Sequence, residues 1–527
     1  MAWLLSLCRK FALDESHSNS AATRGSAVGY GGHFLVRVFG KIASMKNQQL
    51  MSVLVGSALL GACSSPNNEM TGASPLSPSA GSSGTVAASG GPGATGSGSA
   101  GTSASGASGE NGTVGSVPTE QGVGGTLPLG GAGTGSVSGN ASGSAGAGST
   151  GEPHWVGTWT ASPYPVAMAD QPPVSLSISV LRQVAHVSLG GSQIRVQFSN
   201  LSGNGPVTLN SVHVALCPAT PAVDSTIDAT TDQALAFSGT ESVTVAPGQE
   251  VWSDPIAFTV PPLGNLSITT AFGNVPSSLT GHAGSRTTSY IQTGSSDVST
   301  ASMASAQKTD HWYYISGIDV MADASAQGMV AIGDSITDGR GTDTNGNNRW
   351  TDILAERLQA SAATANVAVM NQGIGGTRLV GTTGTAAEAR FRRDVLAQSG
   401  VKYAVVYDGV NDIGADASFD TMRGAYDRLI SAAHDKGLLI YGATILPFNG
   451  NGYYTVAHED VRQKVNTYIK SGAFDGYIDF DAALTDGASP PGLQATYATW
   501  SMKDGLHPGP AGYQKMGETP DLMLFTR

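Results

Sequence analysis

Short apolar runs alternate with helix-like stretches from about residue 326 to residue 527. This periodicity predicts buried parallel strands joined by crossover helices. We expect five strands, at residues 328–333, 366–370, 403–407, 438–446 and 477–480. Right-handed crossovers of these lengths predict an α/β domain, built as a three-layer sandwich around a five-stranded parallel sheet.

One helix is predicted with both of its ends. Between residues 419 and 436 apolar side chains recur every three or four positions, as they do on the buried face of an amphipathic helix. Ser418 can cap its first turn and Gly437 can end it. A shorter helix is predicted at residues 350–358, after the first strand.

Alternating apolar and polar residues dominate the segment from residue 153 to residue 325. Runs such as 193–198 and 207–216 have the period of two that is typical of half-buried strands. The segment is therefore predicted to be a β-sandwich-like accessory domain. Such a domain can bind carbohydrate or shape the substrate site, or it can simply pack against the C-terminal domain. Because no ligand or metal cluster stands out in its sequence, we favour simple packing.

Residues 64–152 are dominated by Gly, Ser, Ala and Thr and contain neither Lys nor Arg. A segment of this composition cannot bury a hydrophobic core. It is predicted to be a flexible tether.

A charged start and a short apolar core precede this tether and end in Leu60-Gly61-Ala62-Cys63. The segment 45–63 resembles a bacterial lipoprotein signal, which implies that Cys63 is lipidated and becomes the mature N-terminus. The apolar run is too short to span a bilayer. The resemblance implies a lipid-anchored protein of the cell envelope, at the outer membrane; a secreted protein is the alternative. Residues 1–44 do not fit the signal, so we expect Met45 to be the true start, with a cytoplasmic extension as the alternative.

A serine follows the first predicted strand on a Gly-rich turn, in Gly333-Asp334-Ser335-Ile336-Thr337. The C-terminal edge of a parallel sheet is where open α/β folds bind ligands. A serine hydroxyl needs a base to become a nucleophile. Asp504 and His507 provide a carboxylate and an imidazole three residues apart, which predicts a Ser–His–Asp site.

Four stretches resemble the conserved blocks of the SGNH or GDSL-type hydrolase superfamily of esterases and acylhydrolases. In the order of the family, they are 333–337, 371–377, 409–412 and 504–507. The resemblance implies that Ser335 is the nucleophile, His507 the base and Asp504 the carboxylate that orients the base.

The resemblance also implies an oxyanion hole. Its donors would be the backbone amides of Ser335 and Gly376 and the side-chain amide of Asn411, with Gly375 as the alternative to Gly376. Such donors stabilise the negative charge that develops on the carbonyl oxygen. The nearby carboxylates Asp334, Asp338 and Asp412 are expected to cap turns and hold loops.

The composition argues against several kinds of partner. A formal net charge of -12 at pH 7, with few Lys and Arg residues, disfavours nucleic acid. Cys8 lies before Met45 and Cys63 would be lipidated, so Cys217 has no partner for a disulfide or a Cys-based metal site. The Gly-rich loop 373–376 lacks the Lys and Ser/Thr of a P-loop. We therefore predict no metal and no cofactor.

The function predicted from these features is a surface-anchored serine esterase. It would remove acyl groups, acetyl first, from acylated small molecules or polysaccharides. The alternatives are an acyltransferase with the same triad, and a carbohydrate-binding or adhesion lipoprotein with a vestigial hydrolase unit. Aromatic side chains near the predicted rim could stack on sugars or line an acyl pocket, or could pack in the core; they are Trp350, Tyr407, Tyr453, Tyr454 and Trp500.

Overall fold

The computed structural model describes residues 151–218, 224–498 and 503–527. The predicted N-terminal extension 1–44, the signal 45–63 with Cys63, the tether up to residue 150, and Trp500 lie outside the described residues. Those interpretations stay predictions.

Strands make up nearly all of the regular structure between residues 154 and 322. They are β1 (His154–Thr160), β2 (Tyr164–Pro165), β3 (Ser179–His186), β4 (Gly191–Ser199), β5 (Val207–Leu216), β6 (Gln233–Leu235), β7 (Val243–Val245), β8 (Glu250–Trp252), β9 (Ile256–Val260), β10 (Asn265–Phe272), β11 (Thr280–His282), β12 (Ser289–Thr293), β13 (Gln307–Thr309), β14 (Trp312–Tyr313) and β15 (Ile315–Ala322), with a 3-10 turn at Met168–Asp170.

These strands form antiparallel sheets that share one hydrophobic core. One sheet has the order β1-β15-β4-β8, with β9 also paired to β4. Another has the order β13-β12-β3-β10-β5-β6, with β7 also paired to β5, and a small third sheet has the order β14-β11-β2. Ile194 and Val196 of the first large sheet and Leu266 and Ile268 of the second are buried in the same core. The region is thus mostly strands in a sandwich-like arrangement, as predicted.

Strands alternate with helices in the C-terminal region. The strands are β16 (Gln327–Gly333), β17 (Val367–Gly373), β18 (Val401–Tyr407), β19 (Leu439–Ala443) and β20 (Gly476–Ile478). The helices are α1 (Ser335–Asp338), α2 (Trp350–Gln359), α3 (Ala387–Phe391), α4 (Val410–Ile413), α5 (Phe419–Asp435), α6 (Val456–Tyr468), α7 (Phe480–Leu484) and α8 (Pro510–Glu518), with π turns at Arg392–Leu396 and Ile469–Ala473 and a 3-10 turn at Leu522–Phe525.

The C-terminal strands form a single parallel sheet of five strands, in the order β17-β16-β18-β19-β20. Its two faces are both covered. Along β18, Ala404 and Val406 belong to one hydrophobic core, whereas Tyr403 and Val405 belong to the other. Side chains of α5 and α6 fill the first core and those of α2 and α8 the second. The predicted α/β fold, with a five-stranded parallel sheet between helical layers, is confirmed.

The predicted helix at 419–436 is confirmed as α5, with both of its expected ends. The Ser418 side chain accepts a hydrogen bond from the backbone N–H of Thr421, and Gly437 has a φ of 77°. Three strand ends differ from prediction, and the first of them is that of β17, which continues past the predicted residue 370 to Gly373. The strand predicted to end at 446 stops at Ala443, and Phe480 begins helix α7 because Asp479 caps that helix through the N–H of Ala482.

Asp394 joins the sandwich-like region to the parallel-sheet region. This buried carboxylate accepts hydrogen bonds from Ser162 Oγ at 2.6 Å and from Arg390 Nη1 at 2.9 Å. Burial alone would raise the pKa of Asp394, but Arg393, Arg390 and Ser162 outweigh it and hold the pKa below its usual range. The carboxylate is therefore charged and paired at neutral pH.

We expect Asp394→Asn to lower the free energy of unfolding by about 3–5 kcal/mol, because it leaves the guanidinium of Arg390 buried without its carboxylate. Arg390 and Asp394 side chains are each only 1% exposed. Asp460→Asn is the matched control, since Asp460 is 60% exposed in its ion pair with Lys464; it should change the free energy by less than about 1 kcal/mol. Denaturant unfolding measures both, and equal effects would contradict the expectation.

Candidate active site

Ser335 is the first residue of α1, directly after β16. The preceding Asp334 caps this helix, since its side chain accepts a hydrogen bond from the N–H of Ile336 at 2.9 Å. Ser335 is 6% exposed. The strand and the short helix together present its hydroxyl at the C-terminal edge of the parallel sheet, where the sequence predicted it.

Two successive hydrogen bonds link the three residues predicted for the triad. Ser335 Oγ lies 2.7 Å from His507 Nε2, and His507 Nδ1 lies 2.7 Å from Asp504 Oδ2. A carboxylate only accepts, so the proton of neutral His507 is on Nδ1 and the lone pair of Nε2 faces the serine hydroxyl. The structure thus brings these residues together, although Ser335 and His507 are 172 positions apart in sequence.

The second oxygen of Asp504 fixes the turn that carries the histidine. Asp504 Oδ1 accepts the backbone N–H groups of Leu506 at 3.0 Å and His507 at 2.9 Å. Asn451, in the loop after β19, donates from Nδ2 to the carbonyl of Asp504 at 2.8 Å. Sequence reasoning missed Asn451, because nothing local connects it to residue 504.

Burial and neighbouring charges set the protonation of this pair. Burial lowers the pKa of His507; Asp504 opposes this effect, while Arg340 and Arg286 add to it, and the net shift is downward. Burial alone would raise the pKa of Asp504, but the hydrogen bonds from His507 and Leu506 outweigh it and the pKa is lowered. At neutral pH the carboxylate is charged and the imidazole is neutral.

The residues predicted for the oxyanion hole line the same cleft as Ser335 and His507. Gly376 follows β17 and has a φ of 74°, a conformation that favours glycine, and a Cβ added there would meet no atom within 4 Å. Gly375, the alternative, also lines the cleft. The loop therefore brings its backbone to the cleft without a side chain in the way.

Asn411, in α4 after β18, has its amide oriented by two hydrogen bonds. Its Oδ1 accepts from the hydroxyl of Tyr453 at 3.2 Å, and its Nδ2 donates to the carbonyl of Thr377 at 2.8 Å. The nitrogen carries two hydrogens, and Thr377 uses one of them. The bond to Thr377 also ties Asn411 to the loop of Gly376.

Buried carboxylates hold the loops around Ser335. Asp412 accepts the backbone N–H groups of Leu379 at 2.7 Å and Val380 at 3.0 Å. Burial, and then Asp412 and Asp338, raise the pKa of Asp334 to about 7. Burial, and then Asp334 and Asp412, raise the pKa of Asp408 well above its usual range. These contacts agree with the expectation that Asp334 and Asp412 cap turns and hold loops.

The sandwich-like region supplies one wall of the cleft. Its lining residues there include Tyr164, Asp170, Arg286 and His311. We favoured a domain that merely packs against the hydrolase unit; the structure shows that this domain also lines the cleft, and its role in substrate binding stays a prediction. The sequence did not indicate this wall, because its residues are scattered along the chain and meet only in the folded protein.

The carboxylate of Asp338, at the end of α1, is the contact point for this wall. His282 Nε2 lies 2.9 Å from Asp338 Oδ1, while His282 Nδ1 lies 3.0 Å from the carbonyl of Ser162. Burial alone would raise the pKa of Asp338, but His282, Arg286 and Arg349 outweigh it and the pKa is lowered. A Cβ added at Gly284 would lie 1.9 Å from Asp338 Oδ2, so only glycine allows the loop to approach this closely.

The candidate aromatic residues differ in their position and burial. Trp350 and Tyr407 are buried in the core beneath the sheet, at 0% and 3% exposure. Tyr454 is partly buried against the other core. Tyr453 lines the cleft. Among the described members of the set, therefore, Tyr453 can touch a substrate at this site.

Metal ligands, cysteines and membrane-spanning helices can be assessed within the described residues 151–218, 224–498 and 503–527. No group of three or more His, Cys, Asp or Glu side chains in these ranges could hold a metal ion. Cys217 is a free thiol, and burial raises its pKa to about 12, so it is unreactive as a nucleophile at neutral pH. No helix of the described chain is long and apolar enough to cross a membrane.

Comparison with known proteins identifies the hydrolase unit. Residues 331–515 match the model of the GDSL-like lipase/acylhydrolase family. This part of the chain is therefore a GDSL-like lipase/acylhydrolase domain, a carboxylic ester hydrolase. A comparison with curated proteins gave no match.

Several solved structures are similar to part of the chain. An acetylxylan esterase from Geobacillus stearothermophilus is 20% identical over 37% of this chain and 92% of its own, with a TM-score of 0.30. A member of the lipolytic protein G-D-S-L family from Veillonella parvula is 21% identical over 38% of this chain and 100% of its own, with a TM-score of 0.30. A GDSL-like lipase from Bacteroides thetaiotaomicron is 18% identical over 37% and 85%, with a TM-score of 0.28. At these TM-scores the likenesses carry no argument about substrate.

We expect the imidazole of His507 to titrate below its ordinary value of 6.5. Replacing Arg340 by Gln removes a positive charge that disfavours the imidazolium, so the pKa of His507 should rise. Arg423→Gln, at an exposed ion pair on α5, should leave it unchanged. Nitrogen NMR of labelled histidine measures the titration, and a His507→Gln variant assigns the signal. A pKa above 6.5 in the wild type would contradict the charge arrangement described here.

Proposed function

We propose that this GDSL-like lipase/acylhydrolase domain is a serine esterase that uses Ser335 as nucleophile and His507 as general base. The observation that carries the proposal is the pair of 2.7 Å hydrogen bonds from Ser335 Oγ to His507 and from His507 to Asp504. Asp504 keeps the proton of neutral His507 on Nδ1 and stabilises the imidazolium once it forms.

The reaction proceeds through an acyl-enzyme. Ser335 Oγ attacks the ester carbonyl as His507 takes its proton, and the carbonyl oxygen becomes an oxyanion. The carbon–oxygen bond to the alcohol then breaks, and His507 gives its proton to the leaving alcohol. A water molecule, deprotonated by His507, attacks the acyl-enzyme and releases the carboxylic acid and Ser335. Because the lowered pKa of His507 keeps it neutral at pH 7, it can act as base there.

The oxyanion is stabilised by the backbone amides of Ser335 and Gly376 and by the side-chain amide of Asn411. Tyr453 and Thr377 hold the Asn411 amide in place before substrate binds. Fixed donors of this kind do not have to reorient as the charge develops, and each contributes about 3 kcal/mol to transition-state stabilisation.

The chemistry of the cleft favours a short acyl group on a polar alcohol, as in an acetylated polysaccharide. Ten of its fifteen lining residues carry a polar or charged side chain, and Leu506 is the large aliphatic side chain among the lining residues of the described chain. A long acyl chain needs an extended apolar surface. Hydroxyl-rich sugars, in contrast, pair well with charged and aromatic side chains such as those of Arg286, His311 and Tyr453.

We further propose that the enzyme is held at the cell envelope through a lipid on Cys63. The motif 60–63 and the Gly/Ser-rich segment that follows it support this proposal. A segment of that composition would act as a flexible spacer between the lipid and the folded part.

If Ser335 is the nucleophile, Ser335→Ala should lower kcat by at least about 10³-fold on any ester that the wild type cleaves. A fluorophosphonate probe should label the wild type and not this variant. Ser471→Ala, at an exposed serine outside the cleft, is the matched control and should retain both activity and labelling. Retention of esterase activity by Ser335→Ala would assign the hydrolysis to another residue.

A chain-length series of p-nitrophenyl esters tests the acyl preference. Because the cleft is polar, kcat/KM should be highest for acetate and at least about 10-fold lower for octanoate. The opposite order would indicate an apolar acyl site and would overturn the proposal of short-chain specificity.

Metabolic labelling with a palmitate analogue tests the anchor. The wild type should incorporate the label and sediment with membranes, whereas Cys63→Ser should remain unlabelled. Cys217→Ser serves as control for the loss of a cysteine elsewhere. Equal labelling of the wild type and Cys63→Ser would remove the basis for a lipoprotein.

A further inference from the structure

Two guanidinium groups line the cleft next to the proposed nucleophile. Arg286 lies in the loop after β11, in the sandwich-like region, and Arg340 lies just after α1. The backbone N–H of Arg340 donates to the carbonyl of Ser335 at 2.8 Å. Both positive charges lower the pKa of His507, so both lie close enough to His507 to act on the reacting groups.

The guanidinium of Arg286 is incompletely paired within the described chain. Its nearest carboxylate oxygen, Asp338 Oδ2, lies 3.8 Å from Nη2, too far for a good hydrogen bond. The other oxygen of Asp338 is occupied by His282. Arg286 Nε is buried and has no hydrogen-bond partner among the described residues. The side chain remains 29% exposed, towards the cleft.

The loop that carries Arg286 is held rigidly. Arg286 has a φ of 50°, an uncommon conformation for a residue with a side chain. Its carbonyl accepts the N–H of Asn345 at 2.8 Å. Arg349 donates to the carbonyls of Gly284 and Ser285. A strained conformation persists only where the surrounding contacts impose it, so the backbone from which the Arg286 side chain projects is fixed before any substrate arrives.

The carboxylates in the cleft leave this positive charge available. Asp338 is held by His282 and its side chain is 4% exposed. Asp170 lies beside His311, whose Nε2 is 3.9 Å from Asp170 Oδ1. During the proposed reaction His507 itself becomes positively charged. A bound anion next to the two guanidinium groups would offset their repulsion of the imidazolium.

We propose that Arg286, together with Arg340, binds a carboxylate of the substrate, so that the preferred substrates are esters with a carboxylate close to the scissile bond. This inference rests on the proposed esterase function. The carboxylate can belong to the alcohol, as in an acetylated uronic acid unit of a polysaccharide, or to the acyl group, as in a hemiester of a dicarboxylic acid. An arginine fork matches the two oxygens of a carboxylate in either case.

The test uses two pairs of esters that differ only in this charge. An acetylated methyl glucuronoside is compared with its uronamide, and p-nitrophenyl hemisuccinate with its succinamide counterpart, on the wild-type protein. We expect kcat/KM to be about 10-fold higher for the carboxylate member of at least one pair. The pair that shows the difference identifies whether the carboxylate lies in the alcohol or in the acyl group.

Arg286→Gln should abolish this preference, mainly by raising KM for the carboxylate ester, and Arg286→Lys should restore part of it. Arg423→Gln is the control for loss of one positive charge far from the cleft, and it should keep the preference. A merely structural role for Arg286 would lower kcat/KM on both members of a pair alike.

Equal kcat/KM for both members of both pairs in the wild type would overturn the inference, even if Arg286→Gln failed to fold. So would an equal loss on charged and neutral esters in Arg286→Gln. Ser335→Ala separates this failure from that of the esterase proposal. If Ser335→Ala is inactive while the wild type ignores substrate charge, the esterase proposal stands and the carboxylate site falls.

Discussion

The Asp338 carboxylate is the contact on which the geometry of the site depends. It ends α1, a four-residue helix that begins at Ser335. A helix this short has no stability of its own in water. It is held in place because Asp338 meets His282 through its side chain and Arg349 through its carbonyl. The position of the candidate nucleophile is thus tied to the sandwich-like region as well as to the parallel sheet.

Further buried charged side chains lie near the C-terminal ends of β16 and β17. Arg390 donates to the carbonyls of Gly333 and Gln372, at the ends of β16 and β17, and is paired with Asp394. The guanidinium therefore holds together two adjacent strand ends, which lead into Ser335 and the Gly376 loop. Asp412 does the same for the loop after β17, through the backbone of Leu379 and Val380. Burying a charge raises the free energy of the folded state unless the charge is fully paired. Because displacement would break this pairing, the ends of β16 and β17 and the loop after β17 tolerate little movement.

The sandwich-like region supplies part of the lining of the cleft. Arg286, His311 and Tyr164 of this region line the cleft beside Ser335 and add polar and charged groups to it. His311 Nδ1 and the Tyr164 hydroxyl both hydrogen-bond to the backbone of Ala283 within this wall, and His282 connects the wall to Asp338 of α1. The shape of the cleft and the position of Ser335 therefore depend on both regions together.

The sequence alone determined the features that depend on local pattern. The strands of the sheet and helix α5 follow from hydrophobic periodicity and capping residues, and parallel topology then brings the loops of Ser335, Gly376 and Asn411 to one rim. The spacing of Asp504 and His507 suffices for the carboxylate to reach the imidazole, because the carboxylate also accepts two backbone N–H groups of its own turn.

Only the tertiary structure decided which distant residues complete this rim. His282 and Asp338 are 56 positions apart, and Asn451 and Asp504 are 53 apart. The first contact depends on how the two regions pack and the second on how two distant loops of one region meet, and no local pattern encodes either. The same holds for Trp350 and Tyr407, which lie near the rim in sequence but point into the core. At the end of a strand, side chains alternate between opposite faces of the sheet, and only the packing of the helices determines which of them reach the cleft.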